Sequence, residues 1–146
     1  MSLVDVVPYF DSKMIDLGYQ SWDDEFNIDN IPRDLLDRSY HIEIGSIASG
    51  PASNTDFEFT FPVIITVHSC ITNALGSSDA TNDMMIKAHS ILDSILLAED
   101  RYGAELKQIY PVSINFEPIS SSNDNIIRVR IEFGVQVNEE FRRVCP

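Results

Sequence analysis

Basic residues are scarce in this chain. Ten Lys and Arg stand against 23 Asp and Glu over 146 residues, a formal charge of −13. That scarcity excludes nucleic-acid binding by counterion release, which needs clustered cations. Cysteine is scarcer still: Cys70 and Cys145 stand alone, with no CxxC spacing. They give no disulfide framework and suit a reducing, intracellular place of synthesis. No run of about eighteen apolar residues occurs, so no membrane-spanning segment is expected. The opening MSLVDVVPYFDSKM lacks a basic region followed by a long apolar one, so no signal peptide is expected either. GxSxG, Walker A, GxGxxG and HExxH patterns are missing.

What is there is globular. Hydrophobic residues make up 44% of the chain, enough to build the core of one domain spanning 1–146. The acidity is uneven: residues 1–60 hold twelve acids and three bases, net −9, and the remainder eleven acids and seven bases, net −4. An acidic wall lets a DNA duplex pass without sticking. It also simply keeps a protein soluble.

Apolar spacing organises the chain. Leu3, Val6, Val7, Phe10, Met14, Ile15 and Leu17 recur at three- and four-residue steps, predicting a helix over 3–17 with Pro8 in its first turn and Gly18 as its stop. A connector rich in Asp and Asn follows over 19–38, anchored by Trp22, Phe26, Ile28 and Ile31. From Ser39 the period becomes two: Tyr40, Ile42 and Ile44 alternate with His41 and Glu43. The stretch GSIASGPASNTD reads as a mobile hairpin loop. The return strand carries Phe57, Phe59, Phe61, Val63, Ile65 and Val67 on one face, with Pro62 marking an edge or bulge. A second helix, capped by Ser78, Asp79 or Thr81, has the stripe Met84, Met85, Ala88, Ile91, Leu92, Ile95 and Leu96, with Gly103 past its end. Two strands close the chain, one alternating at Tyr110, Val112, Ile114 and Phe116, the other at Ile127, Val129, Ile131, Phe133, Val135 and Val137. The expected fold class is α+β: a four-stranded, mainly antiparallel sheet with two helices packed on one face, in the order α-β-β-α-β-β.

Candidate chemistry is thin. His68 and Cys70 are two apart on a strand, but a zinc site needs two further ligands, and no other Cys/His pair has ligand spacing. Asp34 and Asp37 form a carboxylate pair in a polar loop, with nothing apolar nearby to raise one pKa for acid catalysis. Arg128 and Arg130 share a strand face with Glu132. They either cross a subunit boundary to meet the acids of 23–43 or pair within the sheet, for instance with Glu117 or Glu58. No catalytic residue, metal or cofactor is nominated.

The stretch FNIDNIPRDLLDRSYHIEIGS, the interrupted hairpin before EFTFPVIITVHSC, the helix DMMIKAHSILDSIL and the closing pair IYPVSINFEPI and NIIRVRIEFGVQV together resemble the tail terminator (tail completion) proteins of long-tailed, siphovirus-type bacteriophages. The likeness covers nearly the whole chain. Its most telling parts are IP…LLDRSYHIE and VRIEFGVQV. The resemblance implies a virion protein of the tail–neck junction, made in the host bacterial cytoplasm. It implies a structural role: a ring, typically a hexamer, that caps the finished tail tube, stops its polymerisation and joins the head connector, with DNA passing through. The partners so implied are further copies of itself, the major tail tube protein and the connector. The family carries no catalytic residues, and none are transferred.

A ring needs two different patches meeting head to tail. Candidate subunit or tube contacts are Asp34, Asp37, Arg38, Glu43, Arg128, Arg130 and Glu132, and the candidate assembly loop is Ser49, Gly50, Pro51, Ala52, Ser53 and Asn54. Two other classes are consistent with the composition. One is another neck component, such as a head-closure protein. The other is a small cytosolic α+β ligand-binding or enzymatic domain, which predicts a deep pocket with convergent polar groups.

Overall fold

The structure, a computed structural model, describes residues 3–22, 37–51, 55–71, 78–96, 106–120 and 125–140. A single turn of 3-10 helix, Leu3–Asp5, leads into α1 (Val6–Asp16). Pro8 falls in the first turn, where its missing N–H costs no helical bond. The helix ends as its sequence predicts. Gly18 takes φ +93°, and the amides of Gly18 and Tyr19 close on the carbonyls of Ile15 and Met14 at 2.9 and 3.0 Å.

Among the described residues six strands follow α1, not four: β1 (Gln20–Ser21), β2 (Ser39–Ile44), β3 (Ala48–Pro51), β4 (Asp56–Ile71), β5 (Leu106–Ser120) and β6 (Asn125–Glu140). Helix α2 (Ser78–Leu96) separates β4 from β5. The sheet order is β1-β2-β4-β6-β5, with β3 beside β4. Every pairing is antiparallel except the two-residue parallel pair β1–β2. The two additional strands are short. β1 lies in the acidic connector, and β3 occupies part of the expected hairpin loop, where Ala48–Pro51 pair with Phe57–Thr60. Neither carries an apolar alternation, because both lie at the sheet margin and most of their side chains are exposed.

Pro62 illustrates how the local rule works in a central strand. β2 stops opposite Val63 and β3 begins opposite Thr60, so β4 has a break in its partner where Pro62 falls. The Pro62 carbonyl accepts from the Gly45 amide at 3.0 Å across that gap. The missing N–H therefore faces a place where no ladder strand needs it.

Both helices pack on one face. Phe61, Val63, Ile65 and Val67 of β4 and Ile127, Val129, Ile131, Phe133, Val135 and Val137 of β6 bury against Val6, Phe10 and Met14 of α1 and Met84, Ala88, Ile91 and Ile95 of α2. Phe10 and Phe133 bring their ring centroids to 5.6 Å. Met85 departs from the expected stripe and is 52% exposed.

Strand β5 breaks its own alternation. A bulge between Pro111 and Ser113 sets Tyr110 opposite Gly134 on the far face, and Phe116 opposite Val129 on the helix face. The expected single row from Tyr110 to Phe116 is thus split between faces. The Tyr110 ring lies over Gly134, where a Cβ would collide with it.

Candidate assembly surface

On β6 the residues between the core positions point away from the helices, and the ladder sets them in rows with their neighbours. His68, Arg128 and Glu117 form one row, and His41, Thr66, Arg130 and Asn115 the next. Glu43, Ile64, Glu132 and Ser113 form the third. The sheet therefore gathers Glu43, Arg128, Arg130 and Glu132 onto one face. Asp37 and Arg38 sit apart from them in the exposed turn before β2. Ser49, Gly50 and Pro51 make up most of β3. Asp34, Ala52, Ser53 and Asn54 lie outside the described residues.

Both arginines of this face meet acids within the sheet. Arg130 reaches over Thr66, and its Nη2 donates to Glu43 Oε2 at 2.9 Å. Arg128 places Nη1 3.7 Å from Glu117 Oε2, the cross-strand pairing that the alternation allowed. Its Nε donates to Nε2 of His68 at 3.2 Å. An acceptor at Nε2 requires a neutral ring with its proton on Nδ1. Burial, then the charges of Arg128 and Lys87, push the His68 pKa down from 6.5 to about 4. Further along the face Gln136 donates to Glu58.

Lys87 is the residue that sequence patterning misses. From α2 its Nζ donates to the backbone carbonyls of Asp37 at 2.7 Å and His68 at 2.8 Å, and it lies 5.5 Å from the centre of the Tyr19 ring. It so pins the turn before β2 to β4. Its one visible signal is being the only cation in the α2 sequence. Asp37 contributes through its carboxylate as well, accepting from Ser69 Oγ at 3.2 Å. Beside this junction a cleft of about 340 Å³ is lined by Leu17, Gly18, Tyr19, Asp37 and Arg38. Burial, then the nearby Asp37 charge, push the Tyr19 phenol up to about 12. Tyr19 therefore stays protonated at neutral pH. Tyr40 is likewise held above its ordinary value, by burial and by donating to Asp11 Oδ1 at 2.7 Å.

Among the described residues no group of three or more His, Cys, Asp or Glu is placed to hold a metal ion, and no helix is long and apolar enough to cross a membrane. The chain matches no protein-family model, and no curated protein matches it.

Proposed function

We propose that the chain is a structural assembly protein of a long-tailed bacteriophage, a tail terminator. It caps the finished tail tube as a ring, stops tube growth and presents a surface to the head connector, and DNA passes through the ring. The reading rests on the resemblance carried by LLDRSYHIE and VRIEFGVQV. The observation that supports it most is where these stretches lie. The first supplies the turn at Asp37–Arg38 and the strand β2, the second supplies β6, and both flank β4. Glu43 of one and Arg130 of the other close the ion pair across the sheet. The stretches that carry the likeness are thus one structural unit.

On this reading the chain does no chemistry and needs no cofactor. Its acidity serves DNA transit, since a −13 protomer repels phosphates. Negative-stain electron microscopy of the protein mixed with terminator-free tail tubes tests it. A ring at one end of each tube, with elongation arrested, is the expected result. Attachment to connectors but not to tubes would assign the chain to another neck role.

A small-ligand-binding domain is the second reading, and the cleft at Tyr19 favours it. Its volume of about 340 Å³ lies at the small end of ligand pockets. Saturable binding of a small molecule that is lost on Tyr19→Ala, in a protein that never engages tubes, would select this reading.

A further inference from the structure

Strand β5 pairs with β6 alone among the described strands, and β3 with β4 alone. On β2 the short strand β1 covers only Ser39 and Tyr40. Among the described residues one margin of the sheet is therefore β5, and the other runs from Ile44 through Gly45 and Ile47 to Pro51. Both margins lack charge in this acidic chain, as does the central strand β4 from Phe59 onward. Residues 108–116 and 44–55 contain no Asp, Glu, Lys or Arg, in a protein with 33 such residues. Both margins also expose apolar side chains: Val112 is 52% exposed and Phe116 39% on one, Ile47 50% and Ile44 39% on the other.

We propose that copies of this chain join edge to edge, with Val112–Phe116 of β5 in one copy adding as a strand to the Ile44–Pro51 margin of the next. The inference rests on the ring reading above and names the contact that closes the ring. Three observations argue for a second copy as the occupant. Two protomers of charge −13 repel wherever their acids meet, and the two uncharged margins let them approach without bringing acid against acid. The margins lie on opposite sides of one sheet, so pairing them is head to tail, the arrangement that generates rings. The strand directions also match. β6 runs antiparallel to both β4 and β5, and β2 and β3 run antiparallel to β4. A neighbour continuing the sheet therefore lays its β3 antiparallel to β5, the pairing of better hydrogen-bond geometry.

The prolines delimit the contact. Pro118 stands opposite Ile127 and has no N–H to give, so Pro118 points its backbone away from β6 and Ile127 points its own away from β5. With a period of two, Phe116 and Ile114 point theirs outward as well and offer donors to an added strand. Pro111 and Pro118 end the segment on either side, and Pro51 ends the opposing one. This keeps the contact short and guards the margin against indefinite strand addition. A contact of this kind falls at the small end of specific interfaces, so it forms stably only where several close together.

The experiment compares the full chain with Val112→Lys and Ile47→Lys, both at exposed positions, by native mass spectrometry and electron microscopy, alone and on tail tubes. Circular dichroism melts confirm that each variant is folded. A Val112→Cys/Ile47→Cys double variant is assayed in parallel for cross-linking between copies. Wild-type rings, loss of rings in both folded Lys variants, and cross-linked ladders that end at the ring order are the expected results. Rings that persist in the Lys variants, without cross-linking in the Cys variant, overturn the edge contact and leave the ring reading standing. A wild-type chain that forms no closed oligomer even on tubes overturns the ring reading and the edge contact with it.

Discussion

His68 gives the structure a pH dependence that can be worked out in advance. Its ring is 3% exposed, accepts from Arg128 Nε, and sits on a residue whose carbonyl accepts from Lys87. Protonation would place a third cation against two others in a site with little water. The folded-state pKa is accordingly about 4, against 6.5 in the unfolded chain, with burial the larger cause and Arg128 and Lys87 the lesser ones. Between those values the unfolded chain binds the extra proton, so stability rises with pH. The contribution is fully present above pH 6.5 and is lost as pH falls toward 4. One pKa unit corresponds to about 1.4 kcal/mol, so the whole swing is roughly 3 kcal/mol. About 2 kcal/mol of it falls between pH 7.5 and 5.0. Against the 5–15 kcal/mol typical of a domain, roughly, that is a large fraction.

The assay is urea unfolding of the wild type and of His68→Gln at both pH values. Glutamine keeps an acceptor for Arg128 Nε but does not titrate. The acids of the chain change the stability of both proteins with pH, and the comparison cancels that common part. The wild type should lose about 2 kcal/mol more than the variant on going from pH 7.5 to 5.0. Parallel losses in the two proteins would refute the buried, neutral ring, as would a His68 NMR resonance that titrates near 6.5.

Other perturbations read other parts of the fold. Arg130→Met and Glu43→Gln in a double-mutant cycle should couple by less than about 1 kcal/mol, because both side chains are about a third exposed; a coupling of several kcal/mol would mean the pair is dry. Thr66 is fully buried and its hydroxyl has no hydrogen-bond partner among the described residues, so the isosteric Thr66→Val should raise stability by about 1 kcal/mol in denaturant titration. A loss of stability there would reveal a partner for the hydroxyl. Met84→Ala should cost about 2–5 kcal/mol and Met85→Ala no more than about 0.5 kcal/mol. Equal costs would contradict the orientation of α2.

The α+β class, both helices and the four long strands were legible because each carries its own apolar period. Strand β6 shows this best: all six of its alternating apolar positions are buried, while Arg128, Arg130, Glu132 and Gln136 stay half-buried on the other face. The short strands β1 and β3 were not legible. A strand at a sheet margin with exposed side chains has backbone pairing but no apolar signature, and Ala48–Pro51 reads as loop for that reason. The bulge at Pro111–Ser113 escaped too, since a one-residue insertion leaves the apolar residues in place and changes only which face they take. Of the candidate surface, the grouping of Arg128, Arg130 and Glu132 followed from parity along β6, whereas Glu43 joins them only through the pairing of β2, β4 and β6. Which acid each arginine meets did not follow from parity either, because Arg130 crosses β4 on the diagonal to Glu43, and a diagonal depends on register.

Those ion pairs also separate two ways for copies to meet, and salt tells them apart. If neighbouring copies joined through Arg128 and Arg130 of one and acids of another, association would exchange the internal pairs with Glu117 and Glu43 for similar external ones. Such an interface weakens as salt screens it, with the Debye length falling from about 10 Å at 0.1 M to about 3 Å at 1 M. Joining through uncharged margins behaves in the opposite sense. The dominant electrostatic quantity is then the mutual repulsion of −13 protomers, which salt removes, while edge hydrogen bonds and apolar contacts persist. Sedimentation velocity across that range should show association strengthening as sodium chloride rises. Association that weakens with salt would place the contact on the charged face of the sheet and take it away from β5 and β3.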